Sequence, residues 1–482
     1  MPPKTTDNGR LLIKGGRIID PAQGLHLVAD LLVRDGNIEA VGAAIPPSAV
    51  QNVPILKAKD LIVCPGFIDL HCHLREPGFE HKETIATGVK AAAAGGFTTI
   101  CCMPNTNPPI DSRSVVDFIK ERAARAGSTR VIPIGCVSKG RKGDELAEMG
   151  EMAEAGVAGF SDDGSPVSRA SLMRHALEYS RTFGLPIMNH CEDLALAHGG
   201  VVNEGRISAL MGLRGMPAAA EEAMVARDIA LVRLTGGRLH LCHLSTRGSV
   251  ELVRQARADG LPVTAEVTPH HLTMTEDWVA GSGRGSKDKT AFPLDLGAYD
   301  TNARVNPPLR TQADVDALIE GLNSGVIDAI ATDHAPHAVI DKMCEFDSAA
   351  TGITGLETAL PSLLGLVREG KTDLVTIIRA LTSGPARVLT GRDACATVAL
   401  TGRDACATGS TASCGALKPG STADLVVFDP EKEWVVTPEA LFSRGKNTPL
   451  IGHRMKGKVV ATIVAGRLVY SGETGKLEGA TE

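Results

Sequence analysis

Apolar and polar positions follow two different rhythms along the chain. Residues 10–64 carry short period-two runs, "LLIKGGRIID", "ADLLVRDGNIEAVG" and "LIVCPG", punctuated by Gly and Asp-Gly. That pattern predicts antiparallel β structure with tight turns. The same texture returns near the C-terminus in "TADLVVFD" and "GKVVATIVAGRLVY". Two β segments at opposite ends of a chain can pair into one small sandwich, with the middle inserted between them.

The middle behaves differently. Apolar strand-like runs ("RVIPIGCVS", "GVAGFSDDG", "LPIMNHCED", "RLHLCHLS", "LPVTAEVTPHH", "IDAIATDHAPH") alternate with stretches such as "AAAEEAMVARDIALVRLTG", whose apolar residues recur at helical spacing. A βαβα alternation predicts a parallel sheet, and this many units over about 330 residues favours closure. The fold class expected is therefore α/β: a TIM (β/α)8 barrel with a composite β-sandwich formed by the N- and C-terminal segments. The expected division is 1–64 for the first part of the sandwich, 65–388 for the barrel and 415–482 for the second part of the sandwich. Residues 389–414 stand apart, because "LTGRDACAT" occurs at 389–397 and again at 400–408. Two copies are too few for a solenoid, so the repeat reads as a duplicated exposed loop.

Composition narrows the function. The 482 residues carry a net charge of −6 and only 3% aromatics, with no long basic run. A nucleic-acid surface built on phosphate contacts and stacked bases is not expected. The N-terminus "MPPKTTDNGR" has no apolar signal core, and no apolar run is long enough to span a bilayer; a cytoplasmic protein without a membrane partner is expected. Eleven cysteines without a CxxC pair read as reduced thiols packed as small apolar groups. Cys72, Cys191 and Cys242 lie beside histidines, and a thiol at Cys191 could reach a metal and block it.

The chemistry lies at the ends of the strand-like runs, and in a barrel all strand C-termini converge on one face. His71 and His73 in "HCHLREPG" alternate across one residue and so share one side of a strand. His190 ends another run, His243 another and Asp333 the last, while Asp163 lies in "FSDDG". Four imidazoles and two carboxylates suit two divalent ions such as zinc. His270 and His271 could also be ligands, although supporting roles fit them better. His26, His175, His198 and His453 occupy helical or loop contexts and are expected to face solvent.

These motifs resemble those of the dihydroorotase family of the amidohydrolase superfamily. The resemblance rests on "PGFIDLHCHLREPG", "GGFTTICCMPNTNP", "SDDGSPV", "NHCED", "YDTNARVNPPLR", "ATDHAPH" and "GITGLET", in that order over residues 10–470. It implies reversible hydrolysis of the ring amide of (S)-dihydroorotate to N-carbamoyl-L-aspartate, a step of pyrimidine synthesis. It also implies Zn2+, one or two ions per subunit: His71, His73 and Asp333 at one site, His190 and His243 at the other, with Asp163 rather than Asp162 as the further carboxylate. Many relatives bridge their metals with a carboxylated lysine, but no lysine occurs from 143 to 286 here. That places the chain with the bacterial class I enzymes. A metal-activated water attacks the ring carbonyl in this scheme, and Asp333 takes its proton and passes it to the departing ring nitrogen.

Substrate contacts are implied for His73, Arg75, Asn105, Asn306, His337, Thr351 and Gly352. Arg75 falls two residues past His73, on the same side if the strand persists, and its guanidinium fork suits the substrate carboxylate; a surface ion pair with Glu76 is the alternative. Two further readings compete. A hydantoinase or allantoinase would share the fold and histidines, but such enzymes usually carry the bridging lysine. An inactive scaffold subunit of aspartate transcarbamoylase would lack ligands that this chain keeps. A homo-oligomer, and a complex of an active chain with that transcarbamoylase, both remain compatible with the sequence.

Overall fold

The computed structural model describes residues 9–42, 45–46, 49–51, 53–281, 297–391 and 415–472. Most of the duplicated segment lies outside these residues. Five strands come first: β1 (Arg10–Asp20), β2 (Leu25–Arg34), β3 (Asn37–Gly42), β4 (Ile55–Lys57) and β5 (Ile62–Pro65). Three come last: β15 (Leu425–Val435), β16 (Arg454–Val464) and β17 (Arg467–Ser471). Together they form one mixed eight-stranded sheet, ordered β17-β16-β15-β5-β1-β2-β3, with β4 on β1. The seam is the antiparallel pairing of β15 with β5, Leu425 opposite Pro65 through Phe428 opposite Ile62. Ile18, Leu31 and Val33 from the N-terminal end share an apolar core with Leu425, Val427 and Ile463 from the C-terminal end.

Between them run β6 (Phe67–Cys72), β7 (Phe97–Cys102), β8 (Arg130–Pro133), β9 (Ile187–Asn189), the short pair β10 (Val202–Asn203) and β11 (Gly215–Met216), then β12 (Leu239–Leu241), β13 (Val263–Val267) and β14 (Ala329–Ile330). β6, β7 and β8 make a parallel three-stranded sheet, and β9, β12, β13 and β14 a parallel four-stranded one. Single parallel bridges link Gly135 to Phe160 and Phe160 to Ile187 on one side, and Cys72 to His334 on the other. Every residue of β6 and β7 is buried, as expected of strands covered by helices on one face and packed on the other. The covering helices carry their own start and stop signals. In Ile85–Gly95, Thr84 and Thr87 form a capping box and Gly96 ends the helix in the left-handed conformation. Among the described residues no helix is long and apolar enough to cross a membrane.

Candidate metal centre

The parallel strands deliver their C-terminal ends to one place. Asp163, in the "SDDG" turn, sits among four imidazoles: its Oδ1 is 3.4 Å from His71 Nε2, 3.5 Å from His243 Nε2 and 3.7 Å from His190 Nδ1, and its Oδ2 is 3.7 Å from His73 Nε2. Asp333 Oδ1 approaches His73 Nε2 at 3.0 Å and His71 Nε2 at 3.5 Å. All six side chains are buried. Two ligand sets able to hold an ion, His71–His73–Asp163 and Asp163–His190–His243, share Asp163. Two observations fit a cation here. His71 Nε2, the nitrogen that faces both Asp163 and Asp333, is buried without a hydrogen-bond partner, and two carboxylates face four neutral-capable nitrogens in a buried site. Neighbouring Asp162 is turned the other way, accepting from the amides of Val137 and Ser138 and from the Ser138 hydroxyl.

Three of the four imidazoles, those of His71, His73 and His190, are aimed by a partner on the far nitrogen. His71 Nδ1 meets Glu266 Oε1 at 3.0 Å, Glu266 Oε2 meets His240 Nε2 at 3.0 Å, and His240 Nδ1 meets Thr264 Oγ1 at 2.9 Å. His73 Nδ1 lies 2.8 Å from Asn105 Oδ1, and Asn105 Nδ2 donates to Asp163 Oδ2. His190 Nε2 lies 2.9 Å from Glu192 Oε2, which also accepts from Asn306 Nδ2 at 2.8 Å. Asn105 and Asn306 therefore already act on the imidazole–carboxylate cluster. Such partners fix ring orientation and raise ligand basicity.

The electrostatics follow from this crowding. Burial opposes charge on Asp163 and Asp333, yet the surrounding imidazoles hold both carboxyls well below the usual carboxylate range. Burial likewise opposes charge on His71, but Asp163 and Asp333 outweigh it and raise its pKa. Burial, and then Arg75, keep His73 low. His271 is pushed down to about 3 by burial and then His243; its ring bridges Thr268 Oγ1 and the Pro307 carbonyl. His270 is buried and held low by burial and His271, and its Nε2 lacks a partner.

A second group borders this cluster. The strand ends at Cys72, and Arg75 takes a left-handed φ of 61°, so it is a turn and not strand alternation that aims its side chain. Arg75 Nε donates to the Pro336 carbonyl and its Nη2 lies 3.4 Å from His337 Nε2. The ion pair with Glu76 does not form: Glu76 faces Arg122 and accepts from the Ile85 amide. Burial lowers Arg75 to about 10, which leaves it cationic at neutral pH. His337 Nε2 donates to the Thr351 carbonyl at 2.9 Å; burial, Arg75 and Lys82 push its pKa down to about 3, so the ring is neutral. Gly352 has a φ of 136°, and a Cβ there would lie 2.5 Å from that of Ala335, so only glycine fits.

Cys191 is a buried, packed thiol as the sequence reading favours; its Sγ lies against Asp228 and Asn189, away from the ligand sets, so the metal-reaching alternative is corrected, and Cys242, with His71 and Glu266, is the thiol beside the cluster. His453 is half-buried and stacks on Trp278 at 5.5 Å, whereas His26, His175 and His198 are exposed. Glu192, Glu266, His240 and His334 were not among the sequence-based candidates. The signal for Glu266 was present: a lone carboxylate inside the buried run "VTAEV".

A family model described as dihydro-orotase-like matches residues 60–249. The dihydroorotase of Anaeromyxobacter dehalogenans is 48% identical over 468 residues, covering 97% of this chain and 99% of its own. That of a Geobacter species is 46% identical, covering 95% and 99%. Among solved structures, the L-hydantoinase of Arthrobacter aurescens aligns with a TM-score of 0.78 at 24% identity, covering 97% of each chain. A dihydropyrimidinase from Brevibacillus agri aligns equally well, at 0.78 and 20% identity over 98% of this chain and 97% of its own. At these identities the two structures speak only for a shared fold. The near-complete relatives decide the affiliation: the chain belongs to the dihydroorotase family.

Proposed function

We propose that the chain is a metal-dependent cyclic amide hydrolase that interconverts (S)-dihydroorotate and N-carbamoyl-L-aspartate in pyrimidine synthesis. The observation that carries the reading is Asp163 at the centre of four buried imidazoles, with Asp333 at their edge and Arg75 beside them. Zinc is the ion proposed, one or two per subunit. His71, His73, Asp163 and Asp333 would hold one and Asp163, His190 and His243 the other. A bound divalent ion supplies a polarised ring carbonyl and a water acidified from about 15.7 to near 7.

The chain's own groups do the rest. Asp333, held anionic, accepts the proton of the attacking water and returns it to the ring nitrogen as the amide bond breaks. Arg75 grips the substrate carboxylate with its guanidinium fork, helped by Asn105, Asn306, His337 and the Thr351–Gly352 backbone. His73 orients the ring edge while it binds metal. The proposed frame is a closed (β/α)8 barrel over 65–388 with a composite sandwich from 1–64 and 415–482, and the bridges at Phe160 and His334 support closure. A cytoplasmic homo-oligomer, able to associate with aspartate transcarbamoylase, completes the reading. The test is turnover of dihydroorotate, hydantoin and allantoin by the purified chain, together with metal analysis. Turnover of dihydroorotate alone, with zinc bound, is expected; preference for either other ring refutes the assignment.

A further inference from the structure

The segment 443–448 carries none of the clustered groups, yet it packs directly behind His337. Asn447 is 5% exposed and spends its side chain on two arms of the barrel mouth. Its Nδ2 donates to the carbonyls of Ala335 at 3.0 Å and Gly352 at 2.9 Å. Its Oδ1 accepts from the His337 amide at 2.8 Å, and its backbone carbonyl accepts from the Thr354 amide at 2.9 Å. One arm carries Pro336 and His337, against which Arg75 rests. The other carries Thr351 and Gly352, to which His337 donates. The segment is itself anchored: Ser443 Oγ donates to Glu83 Oε2 at 2.6 Å and the Arg444 amide to Glu83 Oε1 at 3.1 Å. At Gly445 a Cβ would fall 2.7 Å from that of Pro336 and 2.8 Å from the His337 nitrogen, so this backbone lies directly on the arm.

We infer that Asn447 is a positioning residue that sets the separation of the His337 and Gly352 arms and thereby the fit of the carboxylate-bearing end of the substrate. The inference rests on the dihydroorotate reading above. The arms also meet directly, through the single parallel bridge of His334 with Ile353, where the Ala335 amide donates to the Ile353 carbonyl at 2.9 Å, and through His337 on the Thr351 carbonyl; past that bridge the Asn447 amide spans both from the outer side. Loosening it widens the carboxylate end while the imidazole cluster, held by Glu266, Asn105 and Glu192, stays in place.

The test is steady-state kinetics of Asn447→Ala and Asn447→Asp, with metal content and melting temperature alongside. Asn447→Asp keeps the acceptor for the His337 amide and loses both donations. Both variants are expected to raise KM for dihydroorotate about tenfold, equivalent to about 1.4 kcal/mol, while kcat stays within about twofold, the signature of lost ground-state and transition-state binding together. Inhibition by dihydrouracil, the same ring without the carboxylate, should be unchanged. Should Asn447→Ala not fold, Asn447→Asp and Gly445→Ala carry the same expectation. An unchanged KM, an equal loss for the carboxylate-free ring, or a fall in kcat alone overturns the inference. Failure of the wild-type chain to turn over dihydroorotate overturns the function itself.

Discussion

Replacing Glu266 tests whether the cluster is a metal centre or a set of structural histidines. Glu266 is fully buried and holds His71 Nδ1 and His240 Nε2 at 3.0 Å each. Burial opposes its charge, but the two imidazoles hold its pKa down to about 2. Its negative charge therefore sits against the ring whose other nitrogen, Nε2, points at Asp163 and Asp333. Glu266→Gln keeps the shape and one carbonyl acceptor for the Nδ1 proton, so the ring stays aimed and only the charge is lost. Glu266→Ala removes the aim as well. Partners of this kind are worth about 10–100-fold in metal affinity, or about 1.4–2.8 kcal/mol. We assign the low end to Gln and the high end to Ala. The assay is competition between the apo-protein and a chromophoric chelator for zinc at neutral pH, with circular dichroism to verify the fold. Wild-type zinc affinity in both folded variants refutes the role of Glu266 and weakens the case for a metal on His71.

Four further outcomes are expected. Arg75→Met raises KM for dihydroorotate about 10–100-fold, since a charge-assisted hydrogen bond contributes about 1.5–3 kcal/mol, with metal content intact; an unchanged KM removes Arg75 from the pocket. Asp333→Asn lowers kcat about 10²–10⁴-fold, the range for losing a general acid–base; a rate within tenfold of wild type would point to another proton carrier. Burial raises Glu357 from 4.5 to about 7, so the folded chain holds a proton that the unfolded chain has released, and stability falls as pH rises from about 4.5 to about 7. Glu357→Gln should gain on wild type by about 2 kcal/mol between pH 5 and pH 8 in urea unfolding, and parallel curves would contradict this. Cys191→Ser leaves zinc affinity unaltered, because its thiol faces Asp228; loss of affinity would favour the metal-blocking alternative over the packed thiol.

The two rhythms of the sequence are legible because burial enforces them: a ladder that lies between helices and core tolerates only continuous apolar runs, and a half-solvated sheet alternates. The six clustered groups are legible for a related reason. A charged or metal-binding side chain at the end of an apolar run has few uses other than a site shared by the C-terminal ends of the parallel strands. What surrounds them is not legible, since Glu192, His240 and Asn447 are identified only by what they touch, and sequence spacing does not say that Asn447 meets Ala335 or that Glu192 meets Asn306. Arg75 shows how spacing can give the right neighbourhood for the wrong reason. Its place depends on a left-handed turn after β6, not on strand alternation.

The same turn geometry recurs where the chemistry is concentrated. Arg75, His243 and Asp333 all have positive φ, at 61°, 35° and 44°, a conformation that costs a non-glycine residue about 1–3 kcal/mol and persists only where the surroundings over-determine it. For Asp333 the surroundings are explicit. Thr332 on one side gives its amide and hydroxyl to the buried carboxyl of Asp69, at 2.8 and 2.6 Å. His334 on the other side accepts the Gly355 amide on Nδ1 and turns its Nε2 toward Glu83. Two buried carboxyls thus clamp the neighbours, and the residue between them has no freedom to relax into a commoner backbone. Asp69 also accepts the His71 amide, so one carboxyl fixes the backbone beneath both His71 and Asp333. The direction of those two side chains is therefore set by the protein before any ion arrives, which is the preorganisation that electrostatic catalysis requires.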